Sequence, residues 1–125
     1  MSSEWIVPDW PAPPNVRSLL TTREGGTSLG PYASLNLGRH VGDDPLAVAT
    51  NRSRLFQRLA GAGEPLWLEQ VHGTRVVDAA AFSSNEPPPQ ADAAFSRSAG
   101  AVCVVMTADC LPVLFCDDAG SVVAA

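Results

Sequence analysis

The sequence has no lysine and no hydrophobic run long enough to cross a membrane. All 8 basic residues of the 125-residue chain are arginine. Any site for an anion must therefore use guanidinium groups or backbone N–H groups. A transmembrane helix needs about 20 consecutive, mostly apolar residues, and no stretch of the chain approaches that length. We therefore do not expect a membrane among its partners.

Cysteine is also scarce, and its positions disfavour a disulfide-rich secreted protein. Cys103, Cys110 and Cys116 are odd in number and form no CxxC pair, which is typical of a protein in a reducing compartment. The N-terminus carries Glu4 where a signal peptide would carry positive charge, and several prolines interrupt the stretch that follows. The sequence therefore predicts a cytoplasmic protein.

Acidic residues outnumber basic ones, 13 against 8, and the formal net charge is −5 at pH 7. This excess disfavours general electrostatic binding to nucleic acids. Hydrophobic residues form 46% of the chain and charged residues 17%, so there is enough apolar surface for a buried core. The length and composition predict a single domain and exclude a disordered or coiled-coil protein.

The apolar pattern predicts a mixed α/β fold in which strands dominate. Asp44 followed by Pro45 is typical of a helix start, and Val48, Leu55, Phe56 and Leu59 are predicted to lie on one face of a helix that should end near Gly61. Strands are expected at residues 16–22, 66–71, 75–79, 101–107, 111–116 and 121–125. Loops are expected at residues 27–41 and 85–90.

Three features of these strands bear on the architecture. Residues 66–71 and 75–79 flank a tight connection. The runs 101–107 and 111–116 are almost continuously apolar, which favours strands buried on both faces. The chain ends inside the last strand, so we expect a domain over residues 1–125 that is incomplete at its C-terminal end. An unpaired strand edge would then favour self-association.

Two residues are the leading candidates for chemistry. His72 follows a strand and precedes Gly73, where an imidazole is well placed as a metal ligand or a general base. Cys110 lies at a bend between two apolar strands, whereas Cys103 and Cys116 lie within strands as inert core thiols. His72 and Cys110 together favour either a zinc site or a cysteine nucleophile activated by histidine. A half-buried structural histidine and a simple buried thiol are the plainer alternatives.

Two glycine-rich loops are candidates for binding an anion. Arg23 precedes Gly25 and Gly26 in the first loop, and Arg39 lies in the second. A guanidinium beside flexible glycines and hydroxyls suits phosphate, although neither loop is a P-loop or a GxGxxG motif. His40, next to Arg39, is a further potential metal ligand, but a histidine on a loop surface is the simpler interpretation.

Six segments, taken in order, resemble the bacterial YfiH family, which is also known as the laccase-domain, polyphenol oxidase or purine nucleoside phosphorylase family. The resemblance covers essentially the whole chain, and the EQVHG and TADCLP stretches are its most specific parts. The segments are TTREGGTS at residues 21–28, SLNLG at 34–38 with VGDD at 41–44, NR at 51–52, WLEQVHG at 67–73, ADA at 91–93 and MTADCLP at 106–112.

The resemblance implies a single α/β domain with mixed sheets packed between helices, of which this chain is the N-terminal portion. It also implies a zinc site made from His72, Cys110 and a further histidine that would follow residue 125. Zinc would act there as a Lewis acid or would generate a nucleophilic hydroxide. The laccase name implies copper, but a His/Cys pair does not supply the several histidines of a multicopper oxidase, so zinc is favoured.

The implied activity is phosphorolysis of purine nucleosides such as adenosine and inosine, with adenosine deamination also attributed to the family. The implied partners are therefore a purine nucleoside and phosphate. Asn36, Arg23 and Arg39 are then candidates for contacts to the ribose or the phosphate. Because the third metal ligand is missing, we expect the 125-residue chain alone to bind zinc weakly and to be nearly inactive.

Two other functions stay open at this point. Family members are also linked to editing of peptidoglycan precursors, in which His72 and Cys110 would form a hydrolytic pair of a cysteine amidase. Alternatively, the chain is a non-catalytic half-domain that needs a partner. Activity that survives chelation but is lost in Cys110→Ala would distinguish the amidase from a metalloenzyme.

Overall fold

The computed structural model describes residues 5–83 and 85–125, which fall into two compact units. Unit 1 contains the residues up to Trp10 together with Ser18–Ala60, and unit 2 contains Pro11–Arg17 and Gly61–Ala125. The expectation based on Glu4 concerns a residue outside the described ranges. The elements are α1 (Pro45–Arg58), β1 (Pro65–Leu66), β2 (Val76–Asp78), β3 (Ala93–Ser96), β4 (Val102–Cys103), β5 (Phe115–Cys116), β6 (Val123–Ala124) and two 3-10 turns, Gly30–Tyr32 and Ala79–Ala81.

The helix of unit 1 confirms the predicted start, but it ends at Arg58, and Phe56 of the predicted apolar face is 41% exposed. The Asp44 carboxylate accepts a hydrogen bond of 3.0 Å from the backbone N–H of Leu46, and a proline opens the first turn. An acidic N-cap followed by proline satisfies free N–H groups and presets the backbone angle. The helix buries Val48, Asn51 and Leu55. Among the described residues, no helix combines the length and apolarity that crossing a bilayer requires.

The strand predicted at residues 16–22 is wrong. Only Leu20 pairs there, in an isolated antiparallel bridge with Ile6 whose two N–H···O=C bonds are both 2.8 Å long. Prolines before this segment cannot donate to a ladder, which keeps the pairing from extending. Residues 27–41 form an ordered loop, as predicted. The carbonyl of Arg23 fastens this loop by accepting from the backbone N–H groups of Ser34 and Leu35, each at 2.8 Å.

Unit 2 contains a four-stranded mixed sheet in the order β2-β3-β6-β5. The pair β2/β3 is parallel, while β3/β6 and β6/β5 are antiparallel. β1 pairs in parallel with β4 in a separate two-stranded sheet. The strand predicted at residues 66–71 is wrong beyond Leu66, apart from an isolated bridge between Glu69 and Gln90. The strand predicted at residues 75–79 is confirmed but shorter, as β2, and it belongs to a different sheet from β1. The mixed α/β fold is confirmed, and the core cluster of unit 2 consists of Leu68, Val77, Ala91 and Ala94.

The prediction of long strands buried on both faces is wrong for residues 101–107 and 111–116. Only β4 and β5, two residues each, form there, and Leu111 and Phe115 are 86% and 59% exposed. Pro112 has no N–H to donate, so a regular ladder could not run through the whole of residues 111–116. The strand predicted at residues 121–125 is confirmed but shorter, as β6.

A substitution at Gly26 tests how tightly the loop of unit 1 is packed. A Cβ built there would overlap the carbonyl oxygen of Ser34 and approach both Leu35 Cα and Asn51 Oδ1 at 2.6 Å. Because backbone must move to admit the methyl group, we expect Gly26→Ala to lower the free energy of unfolding by about 1–3 kcal/mol.

Urea denaturation of the purified chain measures the effect, with Gly38→Ala as the matched control. A Cβ at Gly38 has its nearest neighbours at 3.5–3.7 Å, which is ordinary contact. The control should therefore change the free energy of unfolding by less than about 1 kcal/mol. Equal effects of the two substitutions would contradict the close packing at Gly26.

Candidate functional site

One carboxylate organises the turn that carries His72. Asp92 Oδ1 accepts from the backbone N–H groups of Val71 at 3.1 Å and Gly73 at 2.8 Å, and Asp92 Oδ2 accepts from that of His72 at 2.9 Å. His72 has a φ of 61°, in the left-handed region that few residues other than glycine adopt. The three hydrogen bonds therefore hold His72 in a strained backbone conformation. They also fix the point from which its imidazole side chain extends.

The same bonds perturb the Asp92 carboxyl. The N–H of Gly73 lowers the pKa of Asp92 most, those of Val71 and His72 lower it further, and the charge of His72 adds to this. Burial acts in the opposite direction without reversing the shift. Asp92 is therefore ionised at neutral pH and acts as the acceptor for all three donors.

The side chain of Gln70 connects the His72 segment with the segment that leads to Cys110. Its Nε2 donates to the carbonyl oxygen of Met106 at 2.8 Å, and its Oε1 accepts from the N–H of Met106 at 2.7 Å. This paired contact mimics a strand bond between two chain segments that have no ladder at that point. Asp92 thus holds the EQVHG motif, and Gln70 holds the residue that directly precedes TADCLP.

His72 and Cys110 are both in unit 2 and both exposed. Cys103 and Cys116 are half-buried, and burial, followed by the charge of Asp78, raises the pKa of the Cys103 thiol. Cys110 is therefore the accessible thiol of the described chain. An exposed imidazole and an exposed thiol are suitable zinc donors in type. No group of three or more His, Cys, Asp or Glu side chains within residues 5–83 and 85–125 is arranged to hold a metal, so the described residues do not complete a three-ligand site.

The three predicted substrate contacts lie in unit 1, and one of them is held by internal bonds. Asn36 donates to Asp43 Oδ2 at 3.2 Å and accepts from the N–H of Gly38 at 3.1 Å. Ser28 also donates to Asp43, at 2.6 Å. These bonds, that of Ser28 first, lower the pKa of Asp43. Asn36 is thus a structural member of the loop in this conformation.

A fully buried amide stands at the centre of this network. Asn51 Oδ1 accepts from the Thr27 N–H at 2.8 Å, and Asn51 Nδ2 donates to Ser28 Oγ at 2.9 Å and to the Asn36 carbonyl at 2.8 Å. Asn51 has no exposed surface. Buried polar groups that are fully satisfied in this way specify one arrangement of the chain around them.

Arg23 and Arg39 are exposed. Arg23 Nε donates to the Ala33 carbonyl at 2.8 Å, which orients the guanidinium from one side. Burial and then the charge of Arg39 lower the pKa of Arg52 to about 10, so Arg52 stays charged at neutral pH. The helix residue Arg52 also donates to the Leu37 carbonyl at 2.8 Å.

Comparison with known proteins identifies the family. The family model described as multi-copper polyphenol oxidoreductase laccase matches residues 17–125. The chain belongs to this family, which includes the YfiH proteins. It is 54% identical over 123 residues to a purine nucleoside phosphorylase of Pseudomonas aeruginosa, covering 97% of this chain and 48% of the relative. It is 53% identical over 125 residues to the purine nucleoside phosphorylase YfiH of Escherichia coli K12, covering 98% and 50%.

Two solved structures share the fold. A Neisseria meningitidis protein superposes with a TM-score of 0.89 at 50% identity, over 98% of this chain and 49% of that one. YlmD of Geobacillus stearothermophilus superposes with a TM-score of 0.75 at 35% identity, over 86% and 43%. The chain thus spans about half the length of the relatives that it matches.

Sequence reasoning missed the residues that support the candidate site. The ADA motif at residues 91–93 and the NR motif at 51–52 are part of the family pattern, but nothing in them shows that Asp92 binds three N–H groups or that Asn51 is buried. Gln70 lies inside EQVHG without any feature that points to Met106. These contacts join residues 15 to 36 positions apart, and side-chain spacing along the chain does not reveal them.

Replacing Asp92 tests its hold on the His72 turn. In Asp92→Asn, an NH₂ group replaces one of the two acceptor oxygens. This NH₂ group would face a backbone N–H, which is also a donor, so at least one of the three hydrogen bonds is lost. We expect the amide hydrogens of residues 71–73 to exchange about 3- to 10-fold faster, as measured by NMR hydrogen exchange. Asp109→Asn removes the same charge at an exposed position and is the control. Unchanged exchange at residues 71–73 would show that the carboxylate does not fix the turn.

The lowered pKa of Asp43 predicts a pH dependence of stability. The folded pKa lies below the ordinary value of 3.8, so ionised Asp43 stabilises the fold above that value, and this stabilisation is lost as the pH falls through the folded pKa. The free energy of unfolding should therefore exceed that of Asp43→Asn most at pH 5–7, and the difference should shrink toward pH 2. Urea denaturation at each pH measures it. A constant difference over this range would refute the contribution of the ionised carboxyl.

Proposed function

We propose that this chain forms one half of a purine nucleoside phosphorylase, in which it contributes two metal ligands and an anion-binding loop. The observation that carries the proposal is the pair of exposed donors, His72 and Cys110, on segments that Asp92 and Gln70 fasten in unit 2. The names of the relatives indicate the reaction class. The metal ligands of the proposal lie in unit 2, and the anion-binding loop lies in unit 1.

The donor set suits zinc. His72 and Cys110 supply one nitrogen and one sulfur, and a third protein ligand would come from outside these 125 residues. Bound zinc would supply Lewis-acid polarisation of a substrate oxygen. The residues of this chain would set the position of the donors, because Asp92 fixes the backbone of His72 and Gln70 fixes the segment before Cys110. This positioning matters because a loosely held donor binds metal weakly.

Arg39 and Arg23 are the proposed phosphate contacts, and Asn36 is the proposed ribose contact. The exposure of Arg23 and Arg39 supports the first assignment, because an exposed guanidinium can bind a phosphate through two parallel N–H groups. Arg23 Nε donates a hydrogen bond to the Ala33 carbonyl, and this bond limits the directions in which the Arg23 guanidinium can point. Asn36 would have to exchange its bond to Asp43 for one to substrate.

A chimaera tests this function. This chain would be joined to the part of the Pseudomonas aeruginosa relative that it does not match, and phosphate-dependent release of hypoxanthine from inosine would be measured together with bound zinc. We expect turnover with stoichiometric zinc in the chimaera and neither in the 125-residue chain alone. His72→Ala and Cys110→Ala should each lower turnover by more than about 100-fold, because even outer residues of a metal site are worth 10–100-fold.

Cys116→Ala is the matched control, since it removes a half-buried thiol outside the proposed donor pair. It should leave zinc content and turnover unchanged. Cleavage of an amide bond in a peptidoglycan precursor peptide that survives chelation but is lost in Cys110→Ala would favour the cysteine amidase instead. Zinc binding and turnover that survive in His72→Ala would overturn the assignment of the donors.

A further inference from the structure

The four-stranded sheet of unit 2 has one buried face and one apolar face that is exposed. Directly paired residues of neighbouring strands place their side chains on the same side of a sheet. Val77 of β2 pairs with Ala94 of β3, and both are buried in the core, at 5% and 0% exposure. Ser96 of β3, two residues further on, is also buried. This side of the sheet is therefore the core side.

The opposite side carries a row that is apolar on three of its four strands. Phe95 of β3 pairs with Asp78 of β2 and with Ala124 of β6, and Ala124 in turn pairs with Phe115 of β5. Val76 and Ala93 form the next row on that side. Val76 is 56% exposed and Phe115 is 59% exposed. Arg97 lies over the Phe95 ring at 5.4 Å and covers only part of this side.

The segment before β5 extends the apolar side beyond the sheet. Exposure alternates strictly over residues 111–116, where Leu111, Val113 and Phe115 are exposed at 86%, 50% and 59% and the residues between them are half-buried. This is the period of a strand that presents one side to a partner. β5 is also an edge of the sheet, with β6 as its only strand neighbour among the described residues. We call the side formed by Val76, Ala93, Phe95, Val113, Phe115 and Ala124, together with Leu111, the apolar face.

The length of the relatives indicates what covers the apolar face. The match to a solved Neisseria meningitidis structure covers 98% of this chain but only 49% of that protein. About as much polypeptide again therefore lies outside the match. Exposed contiguous apolar surfaces of this kind mark interaction sites in soluble proteins. A second copy of this chain is the less suitable occupant, because a homodimer would require the face to complement itself.

We propose that the apolar face docks the half of the family sequence that this chain does not match, and that this contact forms even when the two halves are separate polypeptides. The contact consists of apolar side chains of the partner packed over β2, β3, β6 and β5. It goes beyond the proposed function, because it concerns association of the two halves and does not depend on zinc or on catalysis.

The test is coexpression of this chain, carrying an affinity tag, with the unmatched half of the Pseudomonas aeruginosa relative as a separate polypeptide. We expect the two to copurify and to run as a 1:1 complex in size-exclusion chromatography with light scattering. Backbone amides of residues 111–116 should exchange more slowly in the complex than in the free chain. Chelation should leave the complex intact, which separates this outcome from any failure of the proposed activity.

Charged substitutions locate the contact. Val113→Glu combined with Phe115→Glu should weaken the complex by about 30-fold or more, the effect expected at a buried interface anchor. Leu29→Glu is the matched control, because Leu29 is an 82% exposed residue of unit 1 and lies outside the apolar face. Val76→Thr keeps the shape of a β-strand residue and should weaken the complex by a smaller factor without unfolding the chain. Circular dichroism of each free variant verifies its fold.

Three outcomes would overturn the proposal. The first is failure of the two polypeptides to copurify while the free chain is folded. The second is a complex that Val113→Glu/Phe115→Glu and Leu29→Glu weaken equally. The third is a stable homodimer of this chain that buries residues 111–116 and excludes the other half, which would assign the face to self-association instead.

Discussion

The candidate site depends on one carboxylate that binds three consecutive backbone N–H groups. Asp92 accepts from Val71, His72 and Gly73 within 3.1 Å, and this arrangement makes a left-handed histidine tolerable in a short turn. Without such an acceptor, three converging donors and a φ of 61° would favour relaxation of the backbone. A histidine that must present its imidazole at one position needs this kind of support, because an exposed side chain has no packing to orient it.

The two units fix their candidate residues by the same physical means. In unit 1, Asn51 has no exposed surface and satisfies a hydroxyl, an N–H and a carbonyl of the surrounding loop. In unit 2, the amide of Gln70 pairs with both backbone groups of Met106. Each side-chain amide replaces ladder bonds where the chain forms no strand. Loops that are rich in glycine, serine and proline can therefore be ordered without secondary structure.

The sequence predicted the local features and missed those that depend on distant residues. Asp44-Pro45 marked the start of the helix because capping is a local interaction, and the EQVHG and TADCLP motifs indicated the family that the comparisons confirm. The strand predicted at residues 16–22 failed because partner strands decide pairing, and only Leu20 found one. The sequence predicted that residues 111–116 are buried on both faces, because their composition is typical of a sheet covered on both sides. In the structure, however, Phe115 is 59% exposed. The partners of Asp92 and Gln70 are visible only in three dimensions.

The apolar face and the candidate site are linked through β3. Asp92 directly precedes β3, and β3 pairs with β2 on one side and β6 on the other, so the carboxylate that fixes His72 is anchored to the sheet that carries the exposed face. β6 in turn pairs with β5, which follows the Cys110 segment along the chain. A partner packed over the face would restrain β3 and β5 together and would lower the entropy cost of holding both donors in place. If both proposals hold, the third metal ligand and the cover of the apolar face would come from one polypeptide.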